Sequence, residues 1–188
     1  MIAEPRLLGL LDRVDAFGQD TGEAVFDDAE LQAVAGSSEA IRAMIAIAAD
    51  EREPLARRYA AAEAIAQSGH IATLASDTEA ACAVATMLGE AMTRDKIHNR
   101  WGLPGHLVGG TGRLLLALRP GLRRALLPLL EDERPLVIIG SEAATLHHTH
   151  RYRIRDLASY LLSVDQGVPW QDDPDPAVRD RNIDHLKR

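Results

Sequence analysis

Apolar residues recur along this chain at the spacing of three and four residues that is typical of amphipathic helices. The clearest stripe lies in residues 122–130, where the apolar positions on one helical face are Leu122, Ala125, Leu126, Leu129 and Leu130. Glycine, proline and short polar clusters separate this stripe from the others, and such residues begin or end helices. The pattern therefore predicts an all-α fold built from short helices.

Two N-terminal capping helices are predicted within residues 1–36. The first begins near Glu4-Pro5, because proline is favoured in the opening turn of a helix. A turn is expected over Gly18–Gly22. Asp27-Asp28 can then cap a second, short helix, which Gly36 ends.

The first helical hairpin, hairpin 1, is predicted over residues 37–69. Ser37-Ser38-Glu39 opens its first helix, and Pro54 opens its second after the charged turn Glu51-Arg52-Glu53. Gly69 ends the pair. Two amphipathic helices joined by so short a turn must lie antiparallel.

Hairpin 2 is predicted over residues 76–118. Its first helix is long and begins at the capping pair Ser76-Asp77. Residues 95–111 then form an irregular loop, and glycine is concentrated in its segment 102–112. The second helix is short and ends before Pro120-Gly121.

Hairpin 3 is predicted over residues 120–167 and contains a long insertion at 133–151. Pro128 is expected to kink or tighten the helix turn before that insertion. A proline- and aspartate-rich link follows, and a C-terminal capping helix lies within residues 174–188. Together these units make one helical domain over residues 1–188, a length that can bury a sizeable core.

Two segments of the chain share one pattern. Pro54–Gly69 and Arg153–Gly167 are both amphipathic helices that end in glycine, and each has an arginine three residues before an alanine. The offset between them is 98 residues, close to three periods of about 33, which is near the length of helical-hairpin repeats. Two further segments have recognisable patterns. Gly112–Glu133 is predicted to form a helix, a turn and a leucine-rich helix, and Asp173–Ile183 is a polar tail.

Over residues 37–188 these segments resemble HEAT-type helical repeat proteins of bacteria. Gly112–Glu133 is similar to the leucine register of such repeats, and the two arginine-containing helices are similar to their second helices. The resemblance implies a compact, irregular α-solenoid of antiparallel hairpins, because the insertion and the glycine-rich loop interrupt the period. Such arrays present a long binding face, so the resemblance also implies a non-enzymatic protein-binding scaffold.

Further likenesses suggest the type of partner. Trp101–Gly105, Gly140–Thr145 and Tyr152–Ala158 resemble segments of uncharacterised, immunity-type bacterial proteins that neutralise the catalytic domain of a toxin. An insertion in a repeat array usually lies on one binding face. The residues predicted to contact the partner protein are Trp101, Glu142, His147, His148, His150 and Tyr152.

Composition and charge favour a cytoplasmic protein with two different surfaces. Cys82 is the only cysteine, which fits a reducing compartment, and its alanine-rich neighbourhood predicts a packed thiol. The N-terminus lacks the pattern of a secretion signal, and the most apolar stretch is too charged to span a bilayer. Residues 1–93 contain 16 acidic and 6 basic side chains, whereas residues 94–124 contain seven basic side chains and one acidic. The acidic half could bind a basic protein.

The basic middle of the chain supports an alternative function, a HEAT-like module that binds nucleic acid. Arginines pair with phosphates, and a tryptophan can stack on a base. The candidate residues for this alternative are Arg94, Lys96, Arg100, Arg123 and Arg124. The net charge of −7 opposes it, because an acidic molecule repels a polyanion at long range.

A second alternative is a metal-dependent enzyme that uses the histidine loop His147–His150. On an extended segment, His148 and His150 would share a face and could bind zinc. Ser141-Glu142 could be a nucleophile beside a base, although the same pair is favoured as a helix cap. The loop Gly105–Arg113 could hold an anion but lacks the ending of a Walker phosphate loop. We therefore predict no cofactor and no metal.

Overall fold

The computed structural model describes residues 4–14, 16–17 and 29–187 and confirms an all-α protein, with 68% helix and 4% strand. The helices are α1 (Glu4–Asp12), α2 (Ala29–Ala35), α3 (Ser38–Ala49), α4 (Leu55–Gln67), α5 (Ile71–Ser76), α6 (Thr78–Arg94), α7 (Gly110–Ala117), α8 (Arg119–Leu126), α9 (Ser141–His150), α10 (Ile154–Gln166) and α11 (Pro176–Leu186). A 3₁₀ turn, Leu127–Glu131, follows α8 directly. The turn predicted at 18–22 and the cap predicted at 27–28 lie outside the described residues.

The capping residues predicted for the long helices are confirmed. The Ser37 hydroxyl accepts a hydrogen bond from the Ala40 amide at 3.1 Å at the start of α3, and the Asp77 carboxylate accepts one from the Ala80 amide at 3.0 Å at the start of α6. Such bonds satisfy amides that have no partner inside the helix. Pro128 lies within the 3₁₀ turn, which agrees with the prediction that this proline tightens the last turn of the helix.

Three parts of the chain differ from the predictions. The short helix α5 lies in the region expected to link hairpins 1 and 2. The loop at 95–111 contains a two-stranded antiparallel hairpin, β1 (Gly102–Leu103) and β2 (Leu107–Val108), and α7 already begins at Gly110. The insertion at 133–151 is not a loop throughout, because its second half is helix α9.

The helices pack largely in the order in which they follow one another. α3 and α4 pack against each other, and α6 packs against both. α8 packs against α6, α10 against α8 and the 3₁₀ turn, and α11 against α10. None of the helices in the described part of the chain is both long and apolar enough to cross a lipid bilayer.

Small residues let α6 and α8 approach each other closely. A Cβ atom placed on Gly121 would lie 2.7 Å from the Ala85 Cβ and 2.8 Å from the Cys82 Cα, and one placed on Gly89 would lie 2.8 Å from the Ala125 carbonyl oxygen. At each glycine, the backbone of one helix therefore lies directly against atoms of the other helix, and a larger residue would not fit there. Cys82 itself is half-buried beside the contact.

Candidate functional site

Two irregular segments of the chain, residues 95–109 and 133–140, are hydrogen-bonded to each other. The Asn99 side chain donates to the Ile139 carbonyl at 2.7 Å and accepts from the Ile139 amide at 2.9 Å. The His98 amide donates to the Val137 carbonyl at 2.7 Å, and His98 Nδ1 accepts from the Val137 amide at 3.0 Å. The two interruptions of the helical pattern thus form one structural unit.

These bonds fix the protonation state of His98. Because Nδ1 accepts a hydrogen bond, the ring proton is on Nε2, which donates to the Met92 carbonyl at 3.2 Å. Burial lowers the pKa of His98, which keeps the ring neutral. His98 therefore holds the insertion in place as a neutral imidazole, with both ring nitrogens in hydrogen bonds.

A pocket of about 590 Å³ opens where the two segments meet the end of α4 and the start of α7. We refer to it as the α7 pocket. Its lining residues are Glu63, Gln67, Asn99, Arg100, Leu107, Val108, Gly109, Gly110, Thr111, Arg113, Ile139 and Gly140. A volume of this order lies within the range of ligand-binding clefts.

Arg100 is the most deeply placed cation of the α7 pocket. Its side chain is only 10% exposed, its guanidinium lies 5.3 Å from the centre of the Tyr59 ring, and its Nη2 donates to the Ala16 carbonyl at 2.8 Å. The nearest carboxylate is that of Asp95, 3.7 Å away. Nη1 is shielded from solvent and has no hydrogen-bond partner within the described part of the chain.

Asp95 is fully buried and explains the position of Trp101. Its Oδ2 accepts a hydrogen bond from the Trp101 indole at 2.9 Å and lies 3.5 Å from the Tyr59 hydroxyl. The Trp101 and Tyr59 rings stack with centres 6.0 Å apart. Trp101 therefore orients the carboxylate that balances Arg100, and it does so from inside the core.

Glu63 supplies a carboxyl group to the pocket wall. It is 4% exposed, and the Thr111 hydroxyl donates to its Oε1 at 2.5 Å. Burial raises the pKa of Glu63, and the hydrogen bond from Thr111 acts in the opposite direction.

The glycine-rich loop serves mainly for close packing around this pocket. A Cβ atom on Gly112 would collide with the Trp101 carbonyl oxygen, so only glycine allows α7 to begin beside the tryptophan. The Thr111 amide donates to the Arg100 carbonyl at 3.0 Å, which ties the start of α7 to the same loop. The helix carries no acidic residue in its first turn.

The structure corrects the prediction of a histidine loop. His147, His148 and His150 all lie on helix α9, where residues two apart point to different sides. His150 stacks on Tyr152 with ring centres 5.0 Å apart, whereas His148 is exposed. Burial lowers the pKa of His147. Residues 4–14, 16–17 and 29–187 contain no group of three metal-ligating side chains placed to hold an ion.

Two of the six residues predicted to contact a partner protein are not on the surface. Trp101 and Tyr152 are both 0% exposed, so the expectation for them is wrong: their large rings fill the core, and the Tyr152 hydroxyl donates to Asp172 at 2.6 Å. Glu142 and His148 are exposed on α9, and His147 and His150 are half-buried. The predicted cap at Ser141 is also corrected, because Gly140 is the capping residue and Ser141 is the first residue of α9.

The residues of the nucleic-acid alternative are not all on the surface. Arg94, Lys96, Arg123 and Arg124 are exposed, whereas Arg100 is turned into the protein. Arg94 is 3.0 Å from Glu90, one turn away, and Arg123 donates to the Leu186 carbonyl at 3.3 Å. Side chains with protein partners are less available to phosphates, and the inward position of Arg100 contradicts its assignment to such a surface.

Sequence reasoning missed Glu63, Asp95, Asn99 and Thr111. One signal was available for Glu63, because it lies one helical turn after Tyr59 in an otherwise apolar run, Ala60–Ile65, and so shares its buried face. The partners of the other residues lie 36 to 48 positions away along the chain for Tyr59–Asp95, Asn99–Ile139 and Glu63–Thr111. No local pattern shows such pairs.

Comparison with protein-family models, with curated proteins and with solved structures finds no match for this chain. The geometry itself defines an all-α protein with an open pocket between its two irregular segments. The pocket presents guanidinium groups, backbone amides and a buried carboxyl group. Such a set is suited to binding a group rich in hydrogen-bond acceptors.

Proposed function

We propose that this chain is a compact, irregular, HEAT-like α-solenoid that binds another protein without catalysis, as a bacterial cytoplasmic adaptor or immunity-type inhibitor. One observation carries the proposal: the two segments that interrupt the helical pattern are joined to each other and border one open pocket. In stacked helical arrays, irregular insertions of this kind project on one face and commonly bind the partner.

Exposed side chains near this pocket support a protein partner. Leu107 lines the pocket and is 56% exposed, and Val137, on the segment paired with His98, is 46% exposed. Exposed Glu142 follows on α9, two residues after Gly140 of the pocket lining. Apolar side chains with polar neighbours are the usual composition of a protein interface. We define this area, Leu107, Val137 and Glu142 around the α7 pocket, as the insertion face.

Site-specific cross-linking in the producing cell tests the proposal. A photoreactive benzoylphenylalanine replaces Leu107 in one variant and Arg42 in a control variant. Arg42 is also exposed at a groove, but that groove lies between α3 and α6. We expect one protein to be captured from position 107 and not from position 42, with Leu107→Asp weakening its binding by about tenfold or more.

The opposite result is equally clear. Capture of the same proteins from both positions, or of none from position 107, contradicts a binding function of the insertion face. An immunity-type role makes a further demand: the purified chain must abolish the toxic activity of the captured protein. If the purified chain leaves the activity of the captured protein unchanged, the inhibitor function is contradicted and the adaptor function is retained.

A further inference from the structure

The α7 pocket has an excess of positive charge. Arg100 and Arg113 both line it, and Asp95 is the carboxylate beside Arg100. Glu63 is the acidic residue of the lining, and burial raises its pKa. The N-terminus of α7 adds a partial positive charge, because its first amides point out of the helix.

Arg100 provides an independent indication of a ligand. Nine-tenths of its side chain is buried, it lines the pocket, and its Nη1 has no acceptor among the described residues. A buried N–H group without an acceptor is destabilising, and native proteins rarely retain one without a reason. A ligand oxygen in the pocket would supply the missing hydrogen bond.

We propose that the α7 pocket binds a carboxylate group through Arg100, Arg113 and the Gly110 amide at the start of α7. A guanidinium matches the two oxygens of a carboxylate in one plane, and a helix N-terminus favours an anion. The lining contains two arginines and one acidic residue, so its charge favours an anion.

The carboxylate can belong to a bound protein, as an acidic side chain or chain end, or to a free organic acid. The first source rests on the proposed function, since the pocket opens on the insertion face. The second source does not. A test with the isolated chain therefore separates the two proposals: the pocket can bind a carboxylate even if no protein partner exists.

A titration followed by nuclear magnetic resonance provides this test. The probes are N-acetylglycine, which ends in a carboxylate as a peptide does, sodium acetate, and N-acetylglycinamide, which is neutral and nearly the same shape. Ionic strength is matched with sodium chloride. We expect saturable shifts of the Gly110 and Thr111 amides and of the Arg100 guanidinium with both acids and none with the amide. Stronger binding of N-acetylglycine than of acetate identifies the peptide-borne source, and equal binding identifies the bare carboxylate.

Two variants decide whether the pocket is responsible. Arg113→Gln removes an exposed cation of the lining and should weaken N-acetylglycine binding by about tenfold. Arg124→Gln removes an exposed cation of α8 outside the lining and should leave the affinity unchanged. Shifts that do not saturate, that occur equally with the neutral amide, or that weaken equally in the two variants would overturn the proposal.

Discussion

Asp156 and Arg179 are fully buried and connect α10 to α11. Arg179 Nε donates to Asp156 Oδ1 at 3.1 Å, and Arg153 binds the same carboxylate through its amide at 2.8 Å. Arg179 also lies against the Tyr152 ring and donates Nη2 to the His150 carbonyl at 3.0 Å. Each remaining donor has an acceptor nearby, which is the condition under which a buried ion pair can be tolerated.

Asp156→Asn should lower the free energy of unfolding by about 3–5 kcal/mol at pH 7, because it leaves the buried Arg179 charge without a counterion. Burial alone would raise the pKa of Asp156, but hydrogen bonds from Arg153 and Arg179 outweigh it and hold the pKa below its usual range. The stabilisation is therefore complete above the pKa of an unfolded aspartate and is lost as the pH falls below it. Urea unfolding at a series of pH values should show the gap between the two proteins narrowing below about pH 4.

Asp180→Asn is the matched control for this prediction. Asp180 also accepts from Arg153, at 2.6 Å, but its side chain is 36% exposed. Solvent screens such a pair, so we expect a loss of about 1 kcal/mol or less. Equal losses in the two variants would show that burial of Asp156 is not what makes its ion pair important.

The contact between α6 and α8 shows how packing depends on the absence of a side chain. Gly121 lies in the first half of α8, where a methyl group would meet Ala85 and Cys82 at less than 3 Å. Gly9, in α1, has no atom within 4 Å of the corresponding position. Both glycines are helical, so intrinsic preference favours alanine at both sites, and only the contact between helices distinguishes them.

Gly121→Ala should therefore destabilise the protein by about 1–3 kcal/mol, because α6 and α8 must separate to admit the methyl group. Gly9→Ala should be neutral or stabilising by up to about 1 kcal/mol, because alanine loses less backbone freedom on folding. Thermal unfolding of the two variants beside the parent protein measures both effects. A stabilised Gly121→Ala protein would mean that the contact can relax without cost.

The helices that could be predicted from sequence are those whose local signals agree with their packing. α3, α4, α6 and α10 combine an apolar stripe with a cap or a terminal glycine. α9 has neither, since it follows the strand-like segment Leu136–Ile139 and places only Ala143 and Leu146 against the core. Its position depends on the bonds from His98 and Asn99 to the preceding segment, and such long-range bonds leave no periodic trace.

The candidate site was accessible to sequence reasoning only in its outline. The glycine-rich loop and the insertion were both recognised as interruptions, and the structure brings them together. Residue type alone predicts that aromatic side chains contact a partner protein, but here the aromatic rings lie in the hydrophobic core. The Trp101 indole donates a hydrogen bond to buried Asp95, and the Tyr152 hydroxyl donates one to the half-buried carboxylate of Asp172. Because their polar groups have partners, both large side chains can be buried completely.

Part of the acidic charge of the N-terminal half is paired with arginines of the same half. Several acidic residues of the N-terminal half are paired, including Asp12 with Arg57 at 2.7 Å, Glu30 with Arg6 at 2.6 Å and Asp50 with Arg52 at 2.7 Å. Paired carboxylates attract a basic protein less than free ones do. These three carboxylates therefore contribute less to a binding surface for a basic protein than their presence in the sequence suggests.

The order of helix packing predicts how the whole molecule opens. Contacts run from α3 and α4 to α6, then to α8, α10 and α11, and among the described residues α11 packs mainly against α10. In a stacked helical array, local opening begins at the ends, whereas a single cooperative bundle opens all at once. Leu88 in α6 and Ile183 in α11 are both 0% exposed, so burial alone does not distinguish them. After correction for intrinsic rates, we expect native-state hydrogen exchange at the Leu88 amide to be at least about tenfold slower than at Ile183. Equal rates at the two amides would mean that α11 belongs to one cooperative core with α6, and the serial arrangement proposed for the helices would then be wrong.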